Sequence, residues 1–128
     1  MATNTKELEV FTKAKKLSAY AFQITKKAPK AYRWNVIDKI LNGTLELIEL
    51  LYTANSLQGK DRESKQHQAD TKSKILGHLC DIAHEMQIFD NKQTEHFGLL
   101  LLETRQCLFK WINSKVSKDN KVGGLASP

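Results

Sequence analysis

The 128-residue chain has few of the residues on which secreted and membrane proteins depend. It contains only two cysteines, so no disulfide framework is expected. It also contains only two prolines and six glycines. No apolar run reaches the roughly 20 residues of a membrane span, and the polar start MATNTKELEV does not resemble a signal peptide. We therefore expect a cytoplasmic protein that makes no membrane contact and keeps Cys80 and Cys107 as free thiols.

The sequence also lacks the common local motifs of catalysis and cofactor binding. No HExxH, P-loop, CxxC or glycine-rich phosphate loop occurs. Cys80 and His84 are four residues apart, but His78 is turned roughly 200° around the helix from Cys80, so the three cannot meet at one metal. We expect no metal and no cofactor.

Apolar residues recur at spacings of three and four, which predicts helices, whereas no segment alternates as a strand does. Short loops between the helices favour an all-α, antiparallel four-helix bundle over residues 1–117. Residues 118–128 combine charge, two glycines and a terminal proline, and are expected to form a disordered tail. The predicted helices span about residues 5–26, 32–55, 60–87 and 90–117.

Three details of the helices carry further expectations. Gly43 lies inside the second helix, which predicts close contact with a neighbouring helix. The first half of the third helix is polar, so we expect it to project past the core or to face another subunit. The apolar stripes of the second and fourth helices are wider than one bundle interior requires, which predicts a homo-oligomer.

Positive charge is concentrated at the two ends of the chain. Residues 1–33 have a net charge of +6, residues 34–59 of −2, residues 60–91 of −1 and residues 92–128 of +3. The first and last helices of a bundle can be neighbours, so the two ends are expected to form one basic surface that binds nucleic-acid phosphates. Lysines that only keep the protein soluble are the alternative. The candidate contact residues are Lys13, Lys15, Lys16, Lys26, Lys27, Lys30, Arg33, Arg105, Lys110 and Lys115.

Other side chains allow alternative interpretations. Trp34, Trp111 and Phe109 lie among aliphatic residues at helical spacing, so we interpret them as core or subunit-interface residues rather than as platforms for bases. Arg62 and His67 have the Arg-x4-His spacing that resembles the catalytic motif of HEPN ribonucleases. That resemblance implies RNA cleavage at a dimer interface, and a solvated helix start is the alternative.

A broader resemblance covers about residues 11–114 and includes the run APKAYRWNVIDKILNGTLELIELLYTAN. This segment, with the Trp111-Ile112 pair in the fourth helix, resembles the accessory variability proteins of diversity-generating retroelements. Those proteins are related to the four-helix-bundle intervening-sequence proteins of 23S ribosomal RNA genes. Cys107-Leu108-Phe109-Lys110 replaces the glycine-rich approach to the tryptophan, so a structural oligomer of the intervening-sequence type is an alternative.

The resemblance implies a non-enzymatic, bacterial or phage-encoded protein. It implies a homopentamer with a basic outer surface, which binds the retroelement's reverse transcriptase and its template RNA or cDNA. Such a protein is required for mutagenic copying of the template repeat into cDNA.

Overall fold

In the computed structural model, backbone is described for residues 5–122, and side chains within that range for all but residues 5–8, 32–34 and 115–122. Four α-helices occupy most of this range. A 3₁₀ turn at Lys30–Tyr32 and a π-helical turn at Arg33–Ile37 lead into the second helix. The helices are α1 (Thr5–Thr25), α2 (Asp38–Ser56), α3 (Gly59–Glu85) and α4 (Asn91–Val122).

The helices pack in a ring that follows the chain order. α1 lies against α2 and α4, and α3 lies against the same two helices. Connections as short as two residues make successive helices antiparallel. The predicted all-α, antiparallel four-helix bundle is confirmed, and the described residues contain no strand.

The core consists of the side chains that the helical period brings to the centre of the bundle. Leu17 of α1, Leu47 of α2, Leu76 of α3 and Leu108 of α4 are all buried, and among the described side chains Trp111 is the largest that is fully buried. Burial of a side chain of this size contributes about 1.5–3 kcal/mol relative to exposure. The prediction that Trp111 is a core residue is confirmed, whereas the side chain of Trp34 lies outside the described residues.

α2 and α3 approach each other closely at Gly43. A Cβ atom at this position would lie 2.7 Å from Cδ2 of Leu76, well inside van der Waals contact. An ion pair between Lys72 and Glu46, with the nitrogen and oxygen 2.7 Å apart, joins the same two helices. The close helix contact predicted from this glycine is confirmed.

Two expectations about helix ends and faces are wrong in detail. One face of the polar first half of α3 packs against the bundle interior and does not project past the core, because Gln66, Ala69 and Ser73 are buried within this single chain. The small Ala69 and Ser73 side chains let α3 approach its neighbours without a large apolar residue. α4 continues to Val122, beyond its predicted end at residue 117, because the chain offers no helix breaker before Gly123. The part of the predicted tail at residues 123–128 lies outside the described residues.

Asp90 and Gln93 cap the start of α4 reciprocally. The Gln93 backbone N–H donates to Oδ1 of Asp90 at 2.8 Å, and the Asp90 N–H donates to Oε1 of Gln93 at 2.9 Å. This reciprocal pair satisfies two backbone donors that the helix itself leaves without acceptors. It fixes where α4 begins and hence how α4 aligns beside α1.

Several apolar side chains of the helices face outward. Leu45 and Tyr52 of α2 and Leu99, Leu102 and Phe109 of α4 are exposed. The apolar stripes on these two helices therefore exceed what one bundle interior buries, as the sequence predicts. Within residues 5–122, no helix has the length and hydropathy needed to span a membrane.

Candidate nucleic-acid interface

The end of α1 and the connection to α2 present a set of cations to solvent. No acidic residue occurs between Glu9 and Asp38, so neighbours in the sequence offer these cations no counter-charge. All members of the set are exposed, and none forms an ion pair within the part of the chain that the structure describes. We call this set the α1 basic surface, and it comprises Lys15, Lys16, Lys26, Lys27 and Lys30.

The α1–α4 side adds two of the predicted residues. Nζ of Lys13 lies 3.3 Å from Oε1 of Glu103, so this lysine crosses from α1 to α4 as half of an ion pair. Lys110 of α4 is exposed on the same side. Burial raises the pKa of the nearby Cys107 thiol and Glu9 raises it further, while Lys110 and Lys13 act in the opposite direction. The expected proximity of the first and last helices is thus observed, but the charge of Lys13 is already paired with that of Glu103.

Arg105 lies on a different side of α4. Its Nη2 is 3.3 Å from Oδ1 of Asp70 on α3, and Nζ of Lys74 lies 3.4 Å from the other carboxylate oxygen. The Arg105 side chain is half-buried in the α3–α4 interface, where it holds two helices together. The structure therefore does not bring Arg105 into the α1 basic surface. The side chains of Arg33 and Lys115 lie outside the described residues.

The structure places Arg62 and His67 in different surroundings. The Arg62 Nε–H donates to the carbonyl oxygens of Ala54 and Leu57, at 3.0 and 2.8 Å, and its guanidinium carbon lies 5.6 Å from the centroid of the Trp111 ring. His67, by contrast, is exposed in the groove between α2 and α3. Five helical positions turn a side chain by about 140° in net, which separates the two. Arg62 therefore donates hydrogen bonds to carbonyl oxygens at the end of α2 in this fold.

The histidines and cysteine of α3 are also separated. Cys80 is buried, and His78 is exposed two positions earlier. Nε2 of His84 lies 2.7 Å from Oδ1 of Asn91, which joins the end of α3 to the start of α4. Among the described residues, no cluster of three or more His, Cys, Asp or Glu side chains is arranged to hold a metal ion.

Sequence reasoning missed the aromatic side chains beside the α1 basic surface. Phe22 of α1 and Tyr52 of α2 are 42% and 69% exposed, and Phe11 is half-buried with its ring 6.4 Å from that of Tyr52. Their spacing relative to Lys15 was the available signal, since residues 11, 15 and 22 share a face of a helix. The interpretation of aromatics as core or subunit-interface residues concerned Trp34, Phe109 and Trp111 alone.

Comparison with known proteins gives one positive result. No curated protein matches the sequence. A family model described as bAvd-like matches residues 9–115, a segment that includes α2, α3 and most of α1 and α4. This match agrees with the sequence resemblance to accessory variability proteins. Because the family model matches more than half of the chain and the chain folds as a four-helix bundle, the chain belongs to the bAvd-like family.

Proposed function

We propose that the protein is a non-enzymatic accessory factor of a diversity-generating retroelement, acting in the cytoplasm of a bacterium. It binds the element's reverse transcriptase together with the template RNA or cDNA, and so supports mutagenic cDNA synthesis. The observation that carries this proposal is membership of the bAvd-like family, whose model matches residues 9–115. A reverse transcriptase gene next to this one, with a nearly repeated template region, is the expected genomic setting.

The α1 basic surface supports the nucleic-acid half of the proposal. Its five exposed lysines form no ion pair within the described residues, and the chain as a whole has a net charge of +6. Each lysine that meets a phosphate releases condensed counterions, which provides affinity without selecting a base sequence. A factor that must follow a copied template of variable sequence needs this kind of binding.

The exposed apolar residues support the assembly half of the proposal. Residues 99–102 are four consecutive leucines, of which Leu99 and Leu102 are about half exposed. A ring of subunits requires two different patches that fit each other, and α3 offers a second apolar row with Ile75, Ile82 and Met86 exposed. We propose that such contacts form the homopentamer. Light scattering at micromolar concentration is expected to give the mass of five chains, and the 14.6 kDa of one chain would contradict the assembly.

Charge reversal tests the nucleic-acid half. In the triple variant Lys26→Glu, Lys27→Glu and Lys30→Glu, we expect RNA affinity to fall strongly and its salt dependence to flatten. Each lost phosphate contact lowers the slope of log K against log salt by roughly 0.7–0.9. The fold is expected to persist, because exposed substitutions change stability by about 0.5 kcal/mol or less.

A matched control makes the same change of charge elsewhere. Lys39, Lys60 and Lys92 are exposed on other parts of the bundle, and their joint replacement by Glu keeps the net charge equal to that of the test variant. We expect the control to retain most of the affinity. Equal losses in the two variants would mean that net charge alone attracts RNA, and an unchanged test variant would remove RNA from the proposal.

A further inference from the structure

Aromatic and cationic side chains follow one another along the solvent side of α1. Phe11, Lys15 and Phe22 are spaced by four and seven residues, which places them on one helix face over about 16 Å. Lys26 comes four residues after Phe22, in the turn that follows α1. Phe22 and both lysines are exposed.

α2 completes this surface with Tyr52. Its ring meets Phe11 edge-on, with centroids 6.4 Å apart and planes at 61°, while 69% of the residue stays exposed. We call Phe11, Lys15, Phe22, Lys26 and Tyr52 the α1–α2 aromatic face. The Phe11 and Tyr52 rings contact each other at the surface of two packed helices, so these two rings need little ordering when a ligand arrives.

The lysines of this face favour a polyanion over a protein as its occupant. Lysine is depleted at the centres of protein interfaces, because a buried ammonium group loses its hydration without compensation. Lys15 lies between the two phenylalanines in sequence and has no ion pair within the described part of the chain. By comparison, the run of four leucines at residues 99–102 contains no cation and suits a protein partner.

We infer that the α1–α2 aromatic face binds single-stranded nucleic acid. Unpaired bases stack on Phe22 and Tyr52, and Lys15 and Lys26 neutralise the phosphates between them. A duplex hides the faces of its bases and cannot use the rings in this way. The inference rests on the proposed function and adds the class of ligand, which is an unpaired strand bound without base preference.

An acidic residue of α2 determines on which side of the rings the phosphates of the bound strand lie. Glu49 is exposed on α2, within one turn of Tyr52, and repels phosphates from that side. α1 has no acidic residue after Glu9. The phosphates are therefore expected on the α1 side of the rings, next to Lys15 and Lys26.

Removal of the rings without loss of apolar character tests the inference. The parent, the double variant Phe22→Leu/Tyr52→Leu and a control Phe109→Leu on α4 are titrated with a fluorescent 15-nucleotide oligouridine and with a 15-base-pair RNA duplex. The double variant is expected to bind oligouridine at least about fivefold more weakly and to keep its affinity for the duplex. Its salt slope with oligouridine is expected to stay unchanged, because no phosphate contact is lost, and the control should match the parent.

The contrary outcomes separate the inference from the proposed function. If the parent binds RNA but the double variant binds both RNAs as the parent does, or loses both equally, stacking is overturned and the proposed function stands. A parent that binds neither RNA overturns both. A change in the mass of the double variant by light scattering, with unchanged circular dichroism, assigns the face to subunit contact and also overturns the inference.

Discussion

Replacement of Arg62 tests what stabilises this end of the bundle, because the Arg62 side chain, on α3, contacts both α2 and α4. Its Nε–H donates to the carbonyl oxygens of Ala54 and Leu57, its Nη2 donates to that of Asn55 at 3.1 Å, and the guanidinium lies over Trp111. These carbonyls belong to the last residues of α2 and to the loop after it, where the helix itself supplies no further donors. The positive charge also complements the negative end of the helix dipole.

The expected cost of Arg62→Ala follows from these contacts. The Ala54 carbonyl keeps the Leu57 N–H at 3.1 Å, so it stays satisfied in the variant. Each of the lost hydrogen bonds contributes about 0.5–1.5 kcal/mol in net, and the contact with the Trp111 ring about 0.5–2 kcal/mol. We expect the free energy of unfolding to fall by about 2–4 kcal/mol and the Tm by roughly 6–16 °C. Arg62→Lys keeps the charge but not the forked geometry, so an intermediate loss is expected.

Urea denaturation followed by circular dichroism, at one fixed protein concentration, measures these losses. His67→Ala is the control, and it is expected to change the free energy of unfolding by no more than about 0.5 kcal/mol because His67 is exposed. An Arg62→Ala variant as stable as the parent would refute the structural role. So would RNA cleavage by the parent that disappears in both variants at unchanged stability, since that result would assign the pair to catalysis.

Further predictions concern two glycines and a thiol. Gly43→Ala is expected to lower the free energy of unfolding by about 1 kcal/mol, because the new Cβ meets buried Leu76, whereas Gly98→Ala, with no heavy atom within 4 Å of its Cβ, should raise it by about 0.5–1 kcal/mol. Denaturation of both variants checks this, and a gain at both positions would contradict the close contact. Burial, assisted by Asp81, raises the pKa of Cys80 from 9.0 to about 11. Between these values the unfolded chain releases a proton that the folded thiol keeps, so this group makes stability fall as pH rises. Cys80→Ala should flatten that part of the stability profile, and an identical decline in the variant would assign the loss to other groups.

The helices were predictable from the sequence because their signals are local. The three- and four-residue spacing of apolar side chains locates α1 to α4, and Asp90 with Gln93 marks the start of the last helix. The buried face of the first half of α3 was not predictable in the same way. Gln66 and Ser73 are polar, and only the positions of the neighbouring helices decide that these residues are enclosed.

The candidate site shows the same division. The sequence by itself determined that the stretch between Glu9 and Asp38 carries cations and no acidic residue, since charge and spacing are properties of the chain. The tertiary structure decided which cations remain available, because an ion pair needs a partner brought from elsewhere in the sequence. Lys13 meets Glu103 and Arg105 meets Asp70 only because α4 lies between α1 and α3, while Lys15 and Lys26 face solvent. Packing of α1 against α2 likewise brought Tyr52 to Phe11, a contact between residues 41 positions apart that no local pattern encodes.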